Sequence, residues 1–175
     1  GPDTLIIVDS TLASPANFQP LQWGVDLVVH SASKYLGGHG DLLAGSVAGR
    51  RELIERIRVQ RNVTGAICDP QAAVLLNRSL ETFPMRMRAI NENGMALARF
   101  LDRHPKIRKV HYTGLRSHPQ AALAQRYLAG HGGVVSFELD ASTDAAAAFV
   151  DRLQVPFIGT HFGSVSSMVE QPRIF

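Results

Sequence analysis

The sequence feature that most constrains the fold is a pair of short apolar runs, each of which leads into polar residues. The first run covers residues 5–8 (LIIV) and precedes Asp9, and the second covers residues 27–30 (LVVH) and precedes Ser31. Continuous apolar runs of this length are typical of strands that are buried on both faces of a parallel sheet. Residues 45–49 are predicted to form a third strand.

Helical patterns alternate with these strands. Apolar residues recur at helical spacing in residues 50–58, in a longer helix that starts at Pro70, and in residues 86–103, before His104-Pro105. The predicted apolar stripes are Ala73, Leu76 and Leu80 in the second of these helices and Ile90, Leu97, Phe100 and Leu101 in the third. Strands that alternate with helices predict an α/β fold with a mainly parallel sheet.

The composition changes beyond residue 104. Residues 134–139 alternate between apolar and other side chains, which is typical of a half-exposed antiparallel strand, and residues 144–153 form an alanine-rich helical segment. The sequence therefore predicts a domain boundary near residue 104. Residues 1–104 are assigned to part of a large α/β domain and residues 105–175 to part of a smaller α+β domain.

Composition and charge exclude several classes of protein. The net charge of +3 comes from arginines and three lysines that are scattered along the chain, whereas nucleic-acid binding requires a basic stripe. No apolar stretch approaches the roughly 20 residues of a membrane span. The single cysteine excludes an internal disulfide and indicates a reducing compartment, so we expect a cytoplasmic protein. Because the chain opens almost directly on the first apolar run, we also expect sequence upstream of residue 1.

Reactive side chains are densest in residues 26–41 (DLVVHSASKYLGGHGD). The hydroxyls of Ser31 and Ser33 can donate hydrogen bonds to a phosphate, and the amine of Lys34 can form an imine with an aldehyde. The spacing matches neither the GxxxxGK[ST] phosphate loop nor the GxGxxG dinucleotide motif. Taken alone, the segment also fits a surface loop in which the serines form turns and the glycines supply positive φ.

Asp9 is the second candidate residue. An acid that directly follows a buried strand points into the crevice at the carboxyl end of a sheet, where α/β proteins bind ligands. The alternative is a helix cap or a turn. Paired with Lys34, however, Asp9 completes the two protein groups that pyridoxal phosphate (PLP) requires, an amine for its aldehyde and an acid that keeps its pyridine nitrogen protonated.

These segments resemble the Cys/Met-metabolism PLP-dependent enzymes, a family that includes cystathionine γ-synthase, the cystathionine lyases, methionine γ-lyase and the homoserine sulfhydrylases. The resemblance begins in residues 8–15 (VDSTLASP) and 26–41. It continues through residues 78–87 (RSLETFPMRM), 111–119 (HYTGLRSHP), 132–139 (GGVVSFEL) and 161–168 (HFGSVSSM), so it covers essentially the whole chain.

The resemblance implies a type I aminotransferase-like, PLP-dependent transferase fold and a role for each candidate residue. Lys34 would form the Schiff base with PLP, the internal aldimine, and then shuttle a proton, Asp9 would pair with the pyridine nitrogen, and Ser31 and Ser33 would hold the phosphate. His161 and Phe162 would lie near the substrate. The implied activity is that of a lyase or a γ-replacement transferase in sulfur amino acid metabolism and transsulfuration, acting on cystathionine, methionine or activated homoserine. The implied assembly is a homotetramer, a dimer of dimers.

Three departures from the family pattern bear on these implications. Ser33 stands where threonine is usual, Ser10 where asparagine is common, and His161 where serine is usual, which leaves the substrate preference open. The family also places further cofactor contacts upstream of residue 1 and the substrate-binding arginine beyond residue 175. The resemblance therefore implies an incomplete site and little turnover for these 175 residues alone.

Other candidate residues have plainer interpretations. His30, His39 and Asp41 could be read as metal ligands, but we expect unligated polar side chains and no metal site. Cys68 is expected to be a small buried or half-buried residue. Two other functions remain as alternatives. One is a catalytically inactive binding or oligomerisation module that keeps the fold, and the other is a nucleotide-binding α/β domain, which would need a phosphate loop.

Overall fold

The computed structural model describes residues 4–172, which form an α/β structure with three small sheets. Its strands are β1 (Ile7–Asp9), β2 (Leu27–Ser31), β3 (Gly45–Gly49), β4 (Ile107–His111), β5 (Ser136–Leu139), β6 (Phe157–Ile158) and β7 (Met168–Val169). Its α-helices are α1 (Ser14–Asn17), α2 (Arg51–Thr64), α3 (Pro70–Glu81), α4 (Phe83–Asp102), α5 (Ala121–Tyr127) and α6 (Thr143–Asp151), and a 3₁₀ turn spans Pro20–Trp23.

The first sheet has the order β1-β2-β3, with β2 in the centre. β1 and β2 pair in parallel, with Asp9 opposite Val29, whereas β2 and β3 pair antiparallel. The predicted α/β class is confirmed, and this sheet contains one parallel and one antiparallel pair. β2 is buried as expected, but the expected burial of β1 on both faces is wrong, because Ile7 is 57% exposed at the sheet edge.

The helices between β3 and β4 start within three residues of their predicted positions, but α2, predicted over residues 50–58, extends to Thr64. The side chain of Asp69 caps α3 by accepting hydrogen bonds from the backbone N–H groups of Gln71 and Ala72, at 2.9 and 3.0 Å. This cap and the proline at the first helical position explain why α3 begins at Pro70.

The buried face of α4 differs from the predicted stripe. Leu97 and Phe100, which were expected to be buried, are 48% and 63% exposed. The buried residues of α4 are Phe83, Met87, Gly94, Ala98 and Leu101. The prediction was wrong because two small residues carry the closest packing, and hydropathy alone does not mark a glycine or an alanine as an interior residue.

The second sheet pairs β4 with β5 antiparallel, with Ile107 opposite Leu139 and His111 opposite Ser136. β5 confirms the strand predicted at residues 134–139. β4 was not predicted, because its sequence IRKVH carries exposed charges at Arg108 and Lys109 and has only one buried residue, Val110.

Two core clusters of apolar side chains pack against α4, one at its N-terminal part and one at its C-terminal part. The first core cluster consists of Ala32, Tyr35, Leu36, Phe83 and Met87, and the second of Ala98, Leu101, Val110, Tyr112 and Leu115. Since α4 contributes to both clusters, it connects the first sheet to the β4–β5 sheet. The boundary near residue 104 falls in the short link between α4 and β4 and remains a prediction. Across residues 4–172, no helix has both the length and the apolar character that crossing a membrane requires.

Candidate active site

The parallel pairing of β1 and β2 brings the carboxyl ends of both strands to one edge of the sheet, where α/β proteins bind ligands. Asp9 ends β1 and Ser31 ends β2. Thr11 connects the two: its N–H and its hydroxyl both donate to Oδ1 of Asp9, at 2.9 and 2.5 Å. The hydroxyl oxygen of Thr11 also accepts a hydrogen bond from the N–H of Ser31 at 2.8 Å.

Thr11 stabilises the ionised form of Asp9. Its side-chain hydrogen bond, and then its backbone hydrogen bond, lower the pKa of Asp9 below the ordinary value of 3.8. Asp9 is therefore a carboxylate at neutral pH, the form that can pair with a protonated pyridine nitrogen. The sequence prediction identified Asp9 but not Thr11. The Asp-x-Thr spacing of a local Asx turn is the signal that could have indicated it.

Lys34 lies in a series of tight turns that follows β2. The N–H of Lys34 donates to the carbonyl of Ser31 at 3.2 Å, and the N–H of Gly38 donates to the carbonyl of Lys34 at 2.7 Å. Tyr35 and Leu36 are buried in the first core cluster. Residues 32–38 thus lack regular secondary structure, within the loop predicted from Ser31 to Asp41, although Ser31 itself is the last residue of β2. These turns are packed firmly and present Lys34 in a defined place.

Arg86, on α4, holds the far side of these turns. Its guanidinium donates to the carbonyl oxygens of Tyr35 at 2.7 Å, Leu36 at 3.2 Å and Ser79 at 2.9 Å. Gly38 has a φ of +73°, and a Cβ at that position would overlap the guanidinium of Arg86. Sequence reasoning did not identify Arg86, because nothing in a single sequence separates it from the other scattered arginines.

The side chain of Lys34 lines a cavity of about 480 Å³, within the usual range for small-molecule and cofactor sites. The residues that line the cavity are Ser31, Ser33, Lys34, Gly40, Asp41, Leu42, Leu43 and His161. Four predicted site residues, Lys34, Ser31, Ser33 and His161, thus share one cavity. Asp9 is not among the lining residues, and Thr11 connects it to Ser31 at the cavity wall.

The two serines differ in how free their hydroxyls are. The hydroxyl of Ser33 accepts from the N–H of Ala44 at 3.1 Å and donates to its carbonyl across a long 3.4 Å. The hydroxyl of Ser31 makes no such bond to the residues between 4 and 172. Ser31 is therefore the more available donor for an anion, while Ser33 would have to turn its hydroxyl proton away from Ala44.

His161 and Phe162 lie beside the amine of Lys34. Nδ1 of His161 is 2.9 Å from Nζ of Lys34, and the centroid of the Phe162 ring is 4.9 Å from the same nitrogen. Burial, and then the charge of Lys34, lower the pKa of His161, so the ring is neutral at physiological pH. The resemblance implied that these two residues lie near the substrate, which stays a prediction; the structure places both beside Lys34.

In the described part of the chain, no group of three or more His, Cys, Asp and Glu side chains is placed to hold a metal ion. Nδ1 of His39 is instead 2.8 Å from the carbonyl oxygen of Gly37. Cys68 is exposed, so the expectation that it is buried or half-buried was wrong.

An amine, a carboxylate and serine hydroxyls at one sheet edge fit the aldehyde, pyridine nitrogen and phosphate of PLP. A sequence model of the family described as Cys/Met metabolism PLP-dependent enzyme matches residues 2–175. The chain is 44% identical over 168 residues to a probable cystathionine gamma-synthase 2 of Arabidopsis thaliana. The aligned residues cover 96% of this chain and 41% of that relative.

Two further comparisons agree. The chain is 40% identical over 173 residues to an L-methionine gamma-lyase of Fusobacterium nucleatum subsp. nucleatum. The aligned residues cover 98% of this chain and 44% of that relative. A crystal structure of cystathionine gamma synthase from Xanthomonas oryzae pv. oryzae, in complex with aminoacrylate and cysteine, superimposes with a TM-score of 0.94 at 38% identity, over 97% of this chain and 44% of that one. The chain thus spans less than half the length of these relatives, and it belongs to the Cys/Met metabolism PLP-dependent enzyme family.

Proposed function

We propose that this chain carries the lysine of a PLP site, and that the complete protein is a lyase or a γ-replacement transferase acting on a sulfur amino acid. The substrate class is cystathionine, methionine or an activated homoserine. The observation that carries the proposal is the amine of Lys34 in a cavity of about 480 Å³ that Ser31 and Ser33 also line.

Each residue has a defined chemical task in this proposal. PLP, when bound, supplies an electron sink that accepts charge from the substrate carbon next to the amine. Lys34 binds the cofactor's aldehyde through Nζ, and its amine later accepts the α-proton of the substrate. The carboxylate of Asp9 holds a proton on the pyridine nitrogen, and the hydroxyls of Ser31 and Ser33 donate to the phosphate.

The isolated chain is proposed to turn over little or no substrate. It spans 41% and 44% of the two relatives, so more than half of their residues have no counterpart in it. The proposal covers both elimination and γ-replacement. His161 stands beside Lys34 where the family usually has serine, so the substrate preference is open. Product analysis with cystathionine, methionine and an activated homoserine ester on the complete polypeptide would distinguish them.

The complete protein is proposed to be a cytoplasmic homotetramer built from dimers. Leu43, Val63 and Ile7 are 87%, 78% and 57% exposed, and apolar side chains left this open favour burial against further protein. The exposed, unpaired thiol of Cys68 suits a reducing compartment. Sedimentation of the complete polypeptide tests the assembly, and a fully active monomer would contradict it.

The assignment of Lys34 is tested by adding PLP to the chain. A visible absorbance band is expected with the wild type and is expected to be absent in Lys34→Ala. Lys106→Ala is the matched control, because Lys106 is an exposed lysine outside the cavity. Borohydride reduction followed by peptide mapping should locate the cofactor on Lys34, and labelling of Lys106 or Lys109 instead would refute the proposal. A non-catalytic module would give no band at all.

A further inference from the structure

The contact between His161 and Lys34 is the feature of the site that the family resemblance does not account for. Nδ1 of His161 and Nζ of Lys34 are 2.9 Å apart, a normal hydrogen-bond distance. A protonated amine can only donate, so Nδ1 of the ring must be the acceptor. The neutral ring that this requires carries its hydrogen on Nε2.

The position of His161 is fixed by the residues that follow it. Gly163 has a φ of +85°, and a Cβ there would lie 2.7 Å from the backbone nitrogen of Tyr35 and 2.9 Å from the carbonyl carbon of Lys34. Phe162 packs edge-on against Tyr35, with ring centroids 5.6 Å apart. The N–H of Val165 donates to the carbonyl of Gly38 at 3.1 Å. Residues 161–165 are therefore seated directly on the turns that carry Lys34.

The charges around the ring favour its neutral form. Lys34 and Asp41 are the charged side chains that line the cavity together with His161, and Lys34 is the one in contact. Nε2 of His161 is buried and has no hydrogen-bond partner among residues 4–172. Protonating the ring would place a second positive charge against Lys34 and a hydrogen on Nδ1, so the hydrogen bond from the lysine amine would be lost. The ring keeps a single hydrogen bond, and that bond goes to Lys34.

We infer that His161 is a positioning residue for Lys34, with Nδ1 as the acceptor that orients the lysine amine within the cavity. This inference rests on the proposed role of Lys34 as the cofactor-binding lysine. A lysine side chain has four rotatable bonds, and the hydrogen bond to His161 selects the rotamers that keep Nζ beside the Phe162 ring. The family's usual serine could offer only a shorter hydroxyl at this position.

The first test measures the ring itself and needs no cofactor. Nitrogen-15 NMR of the chain should find His161 as the neutral form with hydrogen on Nε2. In Lys34→Met the pKa of His161 should rise, because the neighbouring charge is gone, whereas in Lys34→Arg it should stay low. His131 is the internal control, because burial alone lowers its pKa and neither variant should change it. Hydrogen on Nδ1, or an unchanged pKa of His161 in Lys34→Met, would overturn the inference.

The second test measures what the hydrogen bond does for Lys34. His161→Leu removes the acceptor, while His161→Asn keeps an acceptor oxygen close to the position of Nδ1. The visible band that forms on adding PLP should develop about tenfold more slowly in His161→Leu, the value of one net hydrogen bond, and Asn should restore most of the rate. Equal rates in Leu and Asn would contradict the positioning role. If the wild type forms no band at all, the proposed function fails, and the NMR result still decides the inference.

Discussion

Thr11 is the residue that lowers the pKa of Asp9 the most. Its hydroxyl donates a hydrogen bond to the carboxylate of Asp9 and accepts one from the backbone N–H of Ser31. One side chain therefore aligns the ends of two strands. A valine of nearly the same shape would keep the packing and remove both bonds. The carboxylate would then lose the strongest of the interactions that lower its pKa.

We expect Thr11→Val to raise the pKa of Asp9 and to weaken PLP binding by roughly tenfold, the value of one net hydrogen bond. Because the folded pKa is the lowered one, the stability that this pair gives is present above pH 3.8 and is lost as pH falls through the folded value. Carboxyl carbon-13 NMR and a PLP titration measure the two effects. Thr11→Ser keeps the hydroxyl and should behave as the wild type; a Val variant that also does so would contradict the role of Thr11.

The candidate site shows how far single residues could be predicted from the sequence. Lys34, Ser31 and Ser33 were predictable, because their residue types match a chemistry and the strand places them together. Arg86 was not, because it acts through hydrogen bonds to distant turns that only the folded chain creates. For Thr11, the local spacing to Asp9 was a usable signal, but its bond to Ser31 was not visible in the sequence. The hydrogen bonding of the Ser33 hydroxyl could not be predicted either, since its partner Ala44 lies eleven residues further along the chain.

Among the elements, α4 contributes to both core clusters, and two of its five buried residues, Gly94 and Ala98, are small. A Cβ at Gly94 would overlap the carbonyl oxygen of Gly132 and lie 2.9 Å from the hydroxyl of Tyr112. Glycine therefore allows α4 to approach the turn at residues 132–133. The hydroxyl of Tyr112 donates to that same carbonyl at 2.8 Å, so the contact is closed by a hydrogen bond.

Gly94→Ala should therefore destabilise the chain, although alanine is the better helix former by about 1 kcal/mol. Overpacking typically costs about 1–3 kcal/mol, which outweighs that gain. Urea unfolding measures the sign directly. A stabilised variant would show that α4 does not need the close approach.

Arg86 links α4 to the turns of Lys34, and removing its guanidinium would take the side-chain donor from the carbonyl oxygens of Tyr35 and Leu36. The carbonyl of Ser79 would keep the hydroxyl of Thr82 as a donor, at 3.3 Å. We expect Arg86→Met to lower the free energy of unfolding by about 2 kcal/mol or more, since each unpaired buried group costs about 1–3 kcal/mol. The PLP band should weaken as well. Arg88→Met, at an exposed position of the same helix, is the control; equal losses in both variants would refute a specific role for Arg86.

The elements themselves were predictable where local signals were strong. Pro70 and Asp69 indicate the start of α3, and the apolar run of β2 identifies a central strand. The short strand β4 and the buried face of α4 were not predictable, because both depend on which partner covers them. A strand with the sequence IRKVH looks polar until its pairing with β5 shows that Val110 is buried and that Ile107 packs against the same core cluster.

At the scale of the whole molecule, Asn91 joins three separate parts of the chain. It exchanges two hydrogen bonds with the side chain of Asn17, at 2.9 and 2.8 Å, and accepts a third from the N–H of Gly132 at 2.8 Å. Asn17 ends α1, Asn91 lies in the middle of α4, and Gly132 precedes β5. The side chain thus lies where the first sheet and the β4–β5 sheet come together through α4.

This arrangement predicts that the two halves of the chain, one before α4 and one after it, unfold together. Asn91 is predicted to stabilise the junction between them, where Asn17 and Gly132 meet α4. Asn91→Ala would leave the buried amide of Asn17 and the N–H of Gly132 unpaired, at a cost of about 2–4 kcal/mol for two or more such groups. Urea unfolding should show that loss, and hydrogen exchange should show faster exchange at the Gly132 amide. Asn93→Ala, two residues further along at an exposed position, removes the same side chain without these bonds. If the two variants were equally stable, the junction would have to be held by the apolar clusters alone, and the two halves would then be free to unfold one at a time.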